Sequence, residues 1–194
     1  MINLCLKTMR RISKNTIVKS HQAFALFLLM LCFQACNMHT PENYFGRTTL
    51  NTNRYHNLGA RDFAEMKASK KANMLYGSFS DGELKIADSY ETHIRGMKMA
   101  FLEEDIKKIK ELKVTTETED LIKTSLEVFE FVKSIYENDY IKIAKLMDKS
   151  ASSEDLDAAM KKLESSVNQY HVKREALMQI AIPYAKENGI DVRF

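Results

Sequence analysis

The chain has 194 residues, 45% of them hydrophobic and 28% charged, which is the balance of a folded chain rather than a disordered or fibrous one. Six glycines and two prolines are too few turn formers for a many-stranded β fold, so a few long helices are expected. The net charge of +3 lies ahead of residue 36: without residues 1–35, 24 cations face 26 acids, a balance of −2 that argues against a nucleic-acid partner.

Residues 1–22 carry positive charge only (Lys7, Arg10, Arg11, Lys14, Lys19), and the first acid is Glu42. Residues 23–33 then form an eleven-residue apolar run. Spanning a bilayer takes roughly 20 apolar residues, whereas the apolar part of a signal peptide takes roughly 7–15. The run leads into Phe33-Gln34-Ala35-Cys36, which resembles a lipobox, where a small residue precedes a cysteine that receives diacylglycerol before cleavage. Phe33 and Gln34 depart from the usual Leu and small residue. Cys32 fits less well because Leu31 precedes it.

The expectation is therefore a signal peptide over 1–35 and a membrane anchor through lipid on Cys36. An uncleaved N-terminal anchor and a chance apolar helix in a cytosolic protein are the alternatives, and Met9 ahead of Arg10-Arg11 is an alternative start. The arginine pair is not read as a twin-arginine signal, because Ser13 and Lys14 stand where apolar residues belong. Cys5 and Cys32 would leave with the leader, so Cys36 would be the one cysteine left and no intramolecular disulfide could form. The implied address is the cell envelope, at the outer membrane or its periplasmic face.

Residues 36–57, after the lipidated Cys36, read as a polar tether: Asn, Thr, His and Arg dominate, and Pro41 and Gly46 interrupt. Its aromatics Tyr44, Phe45 and Tyr55 are candidates to dock on the domain. From residue 58 to 194 the periodicity is helical. A first, shorter helix is expected over about 59–76. A second should start at the capping box Ser80-Asp81-Gly82-Glu83, with the stripe Ala87, Tyr90, Ile94, Met97, Phe101 shifting register to Leu102, Ile106, Ile109 and Leu112. Gly96, inside it, marks a close crossing or a bend.

Thr116-Glu117-Thr118-Glu119 reads as a capping box for the third helix, whose stripe runs Ile122, Leu126, Phe129, Val132, Tyr136, Tyr140, Ile143, Met147. Ser152 or Ser153 should cap the fourth, with the seam Leu156, Met160, Leu163, Val167, Tyr170, Arg174, Leu177, Ala181, Tyr184. Pro183 predicts a kink near 179–183, and Gly189 suits the position just past the helix end. Short loops favour an all-α, up-and-down bundle of three long helices plus the shorter first one; a coiled coil with another chain is the alternative, and the oligomeric state is left open.

Candidate chemistry is sparse. Neither His93 nor His171 has a glutamate three residues before it, so no cofactor and no metal site is expected and both histidines read as solvated. The run from Glu103 to Lys110 reads as a solvated face with Glu103–Lys107 and Glu104–Lys108 pairs. Arg174 stands out, being charged at a seam position. It reads either as a structural pair or edge residue, or as part of an anionic-ligand site with Tyr140 and Tyr170.

The lipobox together with the last helix, from Tyr170 through Arg174-Glu175-Ala176-Leu177 to Tyr184-Ala185 and Asn188-Gly189-Ile190, resembles uncharacterised helical-bundle lipoproteins of Gram-negative envelopes, of the Bacteroidetes and spirochaete kind. The resemblance covers about residues 80–190 and rests mainly on apolar spacing. It implies an address and a fold; the functional expectation is a non-enzymatic interaction or scaffold module with a possible protein partner in the envelope.

Overall fold

The computed structural model describes residues 39–80 and 83–192. The leader and Cys36 lie outside the described residues. The described chain is mostly helical, with five helices and one two-stranded hairpin. Among its helices none is long and apolar enough to cross a membrane.

Helix α1 (Pro41–Thr49) begins where the sequence changes from Thr40 to Pro41 and Glu42. The Thr40 hydroxyl accepts the Asn43 N–H at 3.3 Å, proline needs no hydrogen-bond partner in a first turn, and an acid there suits the helix dipole. A 3₁₀ turn (Leu50–Tyr55) continues it. The segment expected to be a tether is thus ordered from Pro41 onward and buries Tyr44, Phe45, Thr48, Thr49, Thr52 and Tyr55. Threonine can be buried here because its hydroxyl is satisfied locally. Thr48 Oγ1 donates to the Tyr44 carbonyl at 2.7 Å and Thr52 Oγ1 to that of Thr49 at 2.6 Å.

Helix α2 (Ala60–Lys71) ends earlier than the expected 76, at a reversal through Asn73 with φ +56°. The chain then forms a hairpin, β1 (Tyr76–Ser80) against β2 (Glu83–Ile86), antiparallel with Phe79 opposite Leu84 and Tyr76 opposite Ile86. This corrects the helix start expected at Ser80. Asp81 and Gly82 lie outside the described residues, but an Asp-Gly pair between two strands is also the commonest sequence signal for a two-residue hairpin. The helix start moves to Ser89, whose hydroxyl accepts the Thr92 N–H at 3.0 Å.

Helix α3 (90–110) contains a π-helical stretch, Ile94–Met99. A π turn inserts one residue into the 3.6-residue repeat, which is the physical cause of the register shift in the apolar stripe. Ile94, Leu102, Ile106 and Ile109 are buried while Phe101 faces out. Helix α4 (119–148) has a second such stretch at Tyr136–Tyr140. It begins at Glu119 rather than behind a Thr116 cap. The Thr118 hydroxyl accepts the Thr115 N–H at 3.0 Å, closing the preceding turn instead.

Helix α5 (Ser153–Glu187) is capped by Ser152, which accepts the Asp155 N–H at 3.2 Å, and it runs on through Pro183. Beyond it Gly189, at φ +69°, reverses the chain: its N–H reaches the Lys186 carbonyl and that of Ile190 reaches the Ala185 carbonyl at 2.8 Å. Cross-helix pairs fix the directions. Glu103 meets Lys133 and Lys110 meets Glu130, so α3 and α4 run antiparallel. Asp139 meets Lys162 and Ser166 while Lys173 covers Phe131, so α4 and α5 do too. Glu103 therefore spends its charge on α4, whereas Glu104 keeps the expected Lys108 partner at 3.1 Å.

One apolar core runs between the helices, with Phe129, Tyr140, Tyr170, Leu163 and Leu177 among its fully buried side chains. Burying a large side chain of this kind stabilises by about 1.5–3 kcal/mol. The hairpin stands at the end of the body marked by the Lys70–Asp148 pair. His39, near Lys113, marks the other end.

Candidate functional site

Thr52 is where the N-terminal segment meets α5. Its hydroxyl oxygen accepts the Arg174 Nε–H at 3.4 Å, and its carbonyl accepts the Tyr170 hydroxyl at 3.2 Å. Tyr170 is fully buried, and burial pushes its phenol up to about 12, with the Arg174 charge pulling the other way. It is therefore a protonated donor at neutral pH, spent on the backbone. Arg174 is half-buried and has no carboxylate partner among the described residues.

Beside Arg174 lies a cleft of about 400 Å³. Phe45, Leu50, Met178 and Val192 supply its apolar walls; Thr49, Thr52, Asn53 and Arg174 supply its polar groups. Met178 follows Arg174 by four residues and so shares its helix face. Val192 reaches the cleft only because the chain reverses at Gly189. Among the described residues no acid lines the cleft, and Arg174 is the one formal charge there. A second cleft of about 440 Å³, near Gly59 and Val167, is lined by both signs of charge, Asp157 and Glu164 with Lys161.

Tyr140 is not part of the Arg174 cleft, which corrects the expected grouping. Its hydroxyl accepts the Gly59 N–H at 2.9 Å and donates to Asp62 Oδ2 at 3.0 Å; Asp62 Oδ1 takes the Lys98 ammonium at 2.7 Å. Burial, helped by the Asp62 charge, holds the Tyr140 phenol far above its ordinary value. Tyr136, edge-on to Tyr140 with ring centroids 4.8 Å apart, is raised for the same reasons. This nest fixes the start of α2 to α3 and α4.

A third polar cluster surrounds Asp105, which is fully buried. It accepts from Asn51 Nδ2 at 2.8 Å, from the Tyr55 hydroxyl at 3.1 Å and, through both carboxylate oxygens, from Arg54 Nη1 at 3.2 and 3.1 Å. Desolvation raises its carboxyl above the ordinary range, against the pull of Arg54 and Tyr55. His93 is likewise half-buried rather than solvated. Its Nδ1 lies 2.6 Å from the Tyr76 carbonyl, and desolvation lowers its pKa despite that contact. Neutral His93 thus donates to β1 and holds the hairpin to α3.

Sequence reasoning found Arg174 and the buried tyrosines but missed Thr52, Asp62 and Asp105. Asp105 carried a readable signal: with Leu102, Ile106 and Ile109 it lies on the inward face at spacings of three and four. Among the described residues no three His, Cys, Asp or Glu side chains converge to hold a metal ion. What the arrangement can do chemically is bind an anion at Arg174. Compared with protein-family models, with curated proteins and with solved structures, the chain matches none.

Proposed function

We propose that the protein is a lipid-anchored component of the cell envelope whose helical domain, an up-and-down bundle of three long helices with a shorter first one, is a non-enzymatic interaction or scaffold module. The observation that carries the reading is the leader: cations without acids, eleven apolar residues, then Ala35-Cys36. Two residues, Asn37 and Met38, separate Cys36 from His39, where the described chain begins. At roughly 3.3–3.6 Å per residue, the five steps from Cys36 to Pro41 would keep the start of α1 within about 18 Å of a lipid there. Support for the interaction role comes from the hairpin, where Phe79, Leu84 and Ile86 stand exposed side by side. Contiguous exposed apolar surface marks binding surfaces more often than chance. Metabolic labelling with a palmitate analogue should mark the wild type and fail on Cys36→Ala; undiminished labelling of that variant would end the proposal.

One observation favours a second reading. Arg174 lines a cleft in which no described residue is an acid, and none of the described carboxylates pairs with it, which suits a bundle that binds a small anionic ligand.

A further inference from the structure

We propose that the Arg174 cleft binds an amphipathic carboxylate, a compound with one carboxylate and an apolar chain or ring. The inference rests on the anionic-ligand reading and goes further by naming the ligand class. A salt bridge is the usual fate of a half-buried arginine, and here the structure supplies something else. Arg174 spends only its Nε–H, on Thr52 Oγ1, and Thr52 Oγ1 in turn donates to the Thr49 carbonyl. That bond occupies the Nε–H and leaves the Nη1/Nη2 edge for a ligand. The terminal amino groups have no acceptor among the described residues. A planar guanidinium held in this way presents a paired-donor edge, and carboxylate is the group whose two oxygens match it.

The surroundings select against a bare anion. Phe45, Met178 and Val192 line the cleft with Arg174, as does Leu50, which has 57% of its surface exposed. Inorganic phosphate or acetate would leave this apolar surface wet, whereas an alkyl or aryl group would cover it at about 25 cal/mol per Å². The volume of about 400 Å³ lies in the lower part of the range of about 300–1,000 Å³ typical of small-molecule sites. Because Tyr170 and Tyr140 are spent on Thr52 and on Gly59 and Asp62, the recognising groups are Arg174 and the Asn53 amide.

The test is calorimetric titration of the full 194-residue chain with octanoate, octanol and acetate, repeated on Arg174→Met and Arg174→Lys after circular dichroism confirms their helix content. Octanoate should bind the wild type at least tenfold more tightly than octanol or acetate. Arg174→Met should lose at least tenfold, and Arg174→Lys should fall between. Octanol binding as well as octanoate, or octanoate binding unaffected by Arg174→Met, overturns both the inference and the anionic-ligand reading. Acetate matching octanoate, with both lost in Arg174→Met, overturns the amphipathic class while leaving an anion site. Absence of octanoate binding to the wild type overturns the inference without recourse to any variant.

Discussion

Gly96 of α3 packs so closely beneath Gly77 of β1 that a Cβ on Gly96 would overlap the Gly77 carbonyl oxygen. The obstacle is backbone, which cannot rotate away as a long side chain could. Gly96 also lies within the π-helical stretch, so the bulge and the close approach occur at the same point. Gly96→Ala should therefore lift the hairpin from the helix and destabilise the domain by about 1–3 kcal/mol, the usual range for overpacking. Denaturant unfolding gives the magnitude. Faster hydrogen exchange in 76–86 than in α4 would localise it, and an unchanged midpoint would contradict the packing described.

The Tyr140 hydroxyl has two protein partners in the interior, Gly59 N–H and Asp62, so Tyr140→Phe strands a buried donor and one carboxylate oxygen. A loss of about 1.5–3 kcal/mol is expected. Tyr184→Phe is the control, because its hydroxyl has no partner among the described residues, and a change within about 0.5 kcal/mol is expected there. Equal effects from the two variants would mean the nest is not holding α2.

Asp105 gives the stability curve a sign that can be checked. Its folded pKa is raised, so the native state holds the proton more tightly than the unfolded chain. Its contribution is then fully present below the unfolded value of 3.8 and is lost as pH rises through the folded value. The unfolding free energy of the wild type minus that of Asp105→Asn should fall as pH rises from about 3 through the carboxylate range. A difference that climbs with pH would show that Arg54 and Tyr55 outweigh desolvation.

Gly189→Ala isolates a backbone effect, since a Cβ there would meet nothing within 4 Å. Only the positive φ is at stake, and forcing alanine into it costs about 1–2 kcal/mol. The same variant should loosen Val192 from the Arg174 cleft and weaken octanoate binding. Loss of stability without any change in binding would detach Val192 from the recognition described above.

The long amphipathic stretches were legible because aliphatic residues recur at spacings of three and four, and Leu163, Tyr170, Leu177, Ala181 and Tyr184 are all buried as that spacing implies. Residues 41–55 were not, because their inward face is built from Thr48, Thr49, Thr52 and Tyr55. Such residues read as a polar linker unless each hydroxyl is known to find a carbonyl. The hairpin was hidden by a coincidence of spacing, in which Ser80 to Glu83 satisfies the helix-cap pattern while Asp81-Gly82 satisfies the turn pattern. Arg174 was legible as an anomaly in the seam. Its cleft was not, because Leu50, Asn53 and Val192 come together only through the chain reversals at both ends of the domain.

Thr52 finally bears on the order in which the molecule can assemble. Its partners Tyr170 and Arg174 stand 118 and 122 residues further along the chain. Bonds of such high sequence separation cannot form until α5 exists, and closing so long a loop is slow. A nascent chain could already seat its first helical segment on α3 through Asn51, Arg54 and Tyr55 around Asp105, while the Thr52 side of that segment waits for α5. The contacts between Thr52 and α5 are thus the late ones, and the seam they close completes a core begun between the earlier helices.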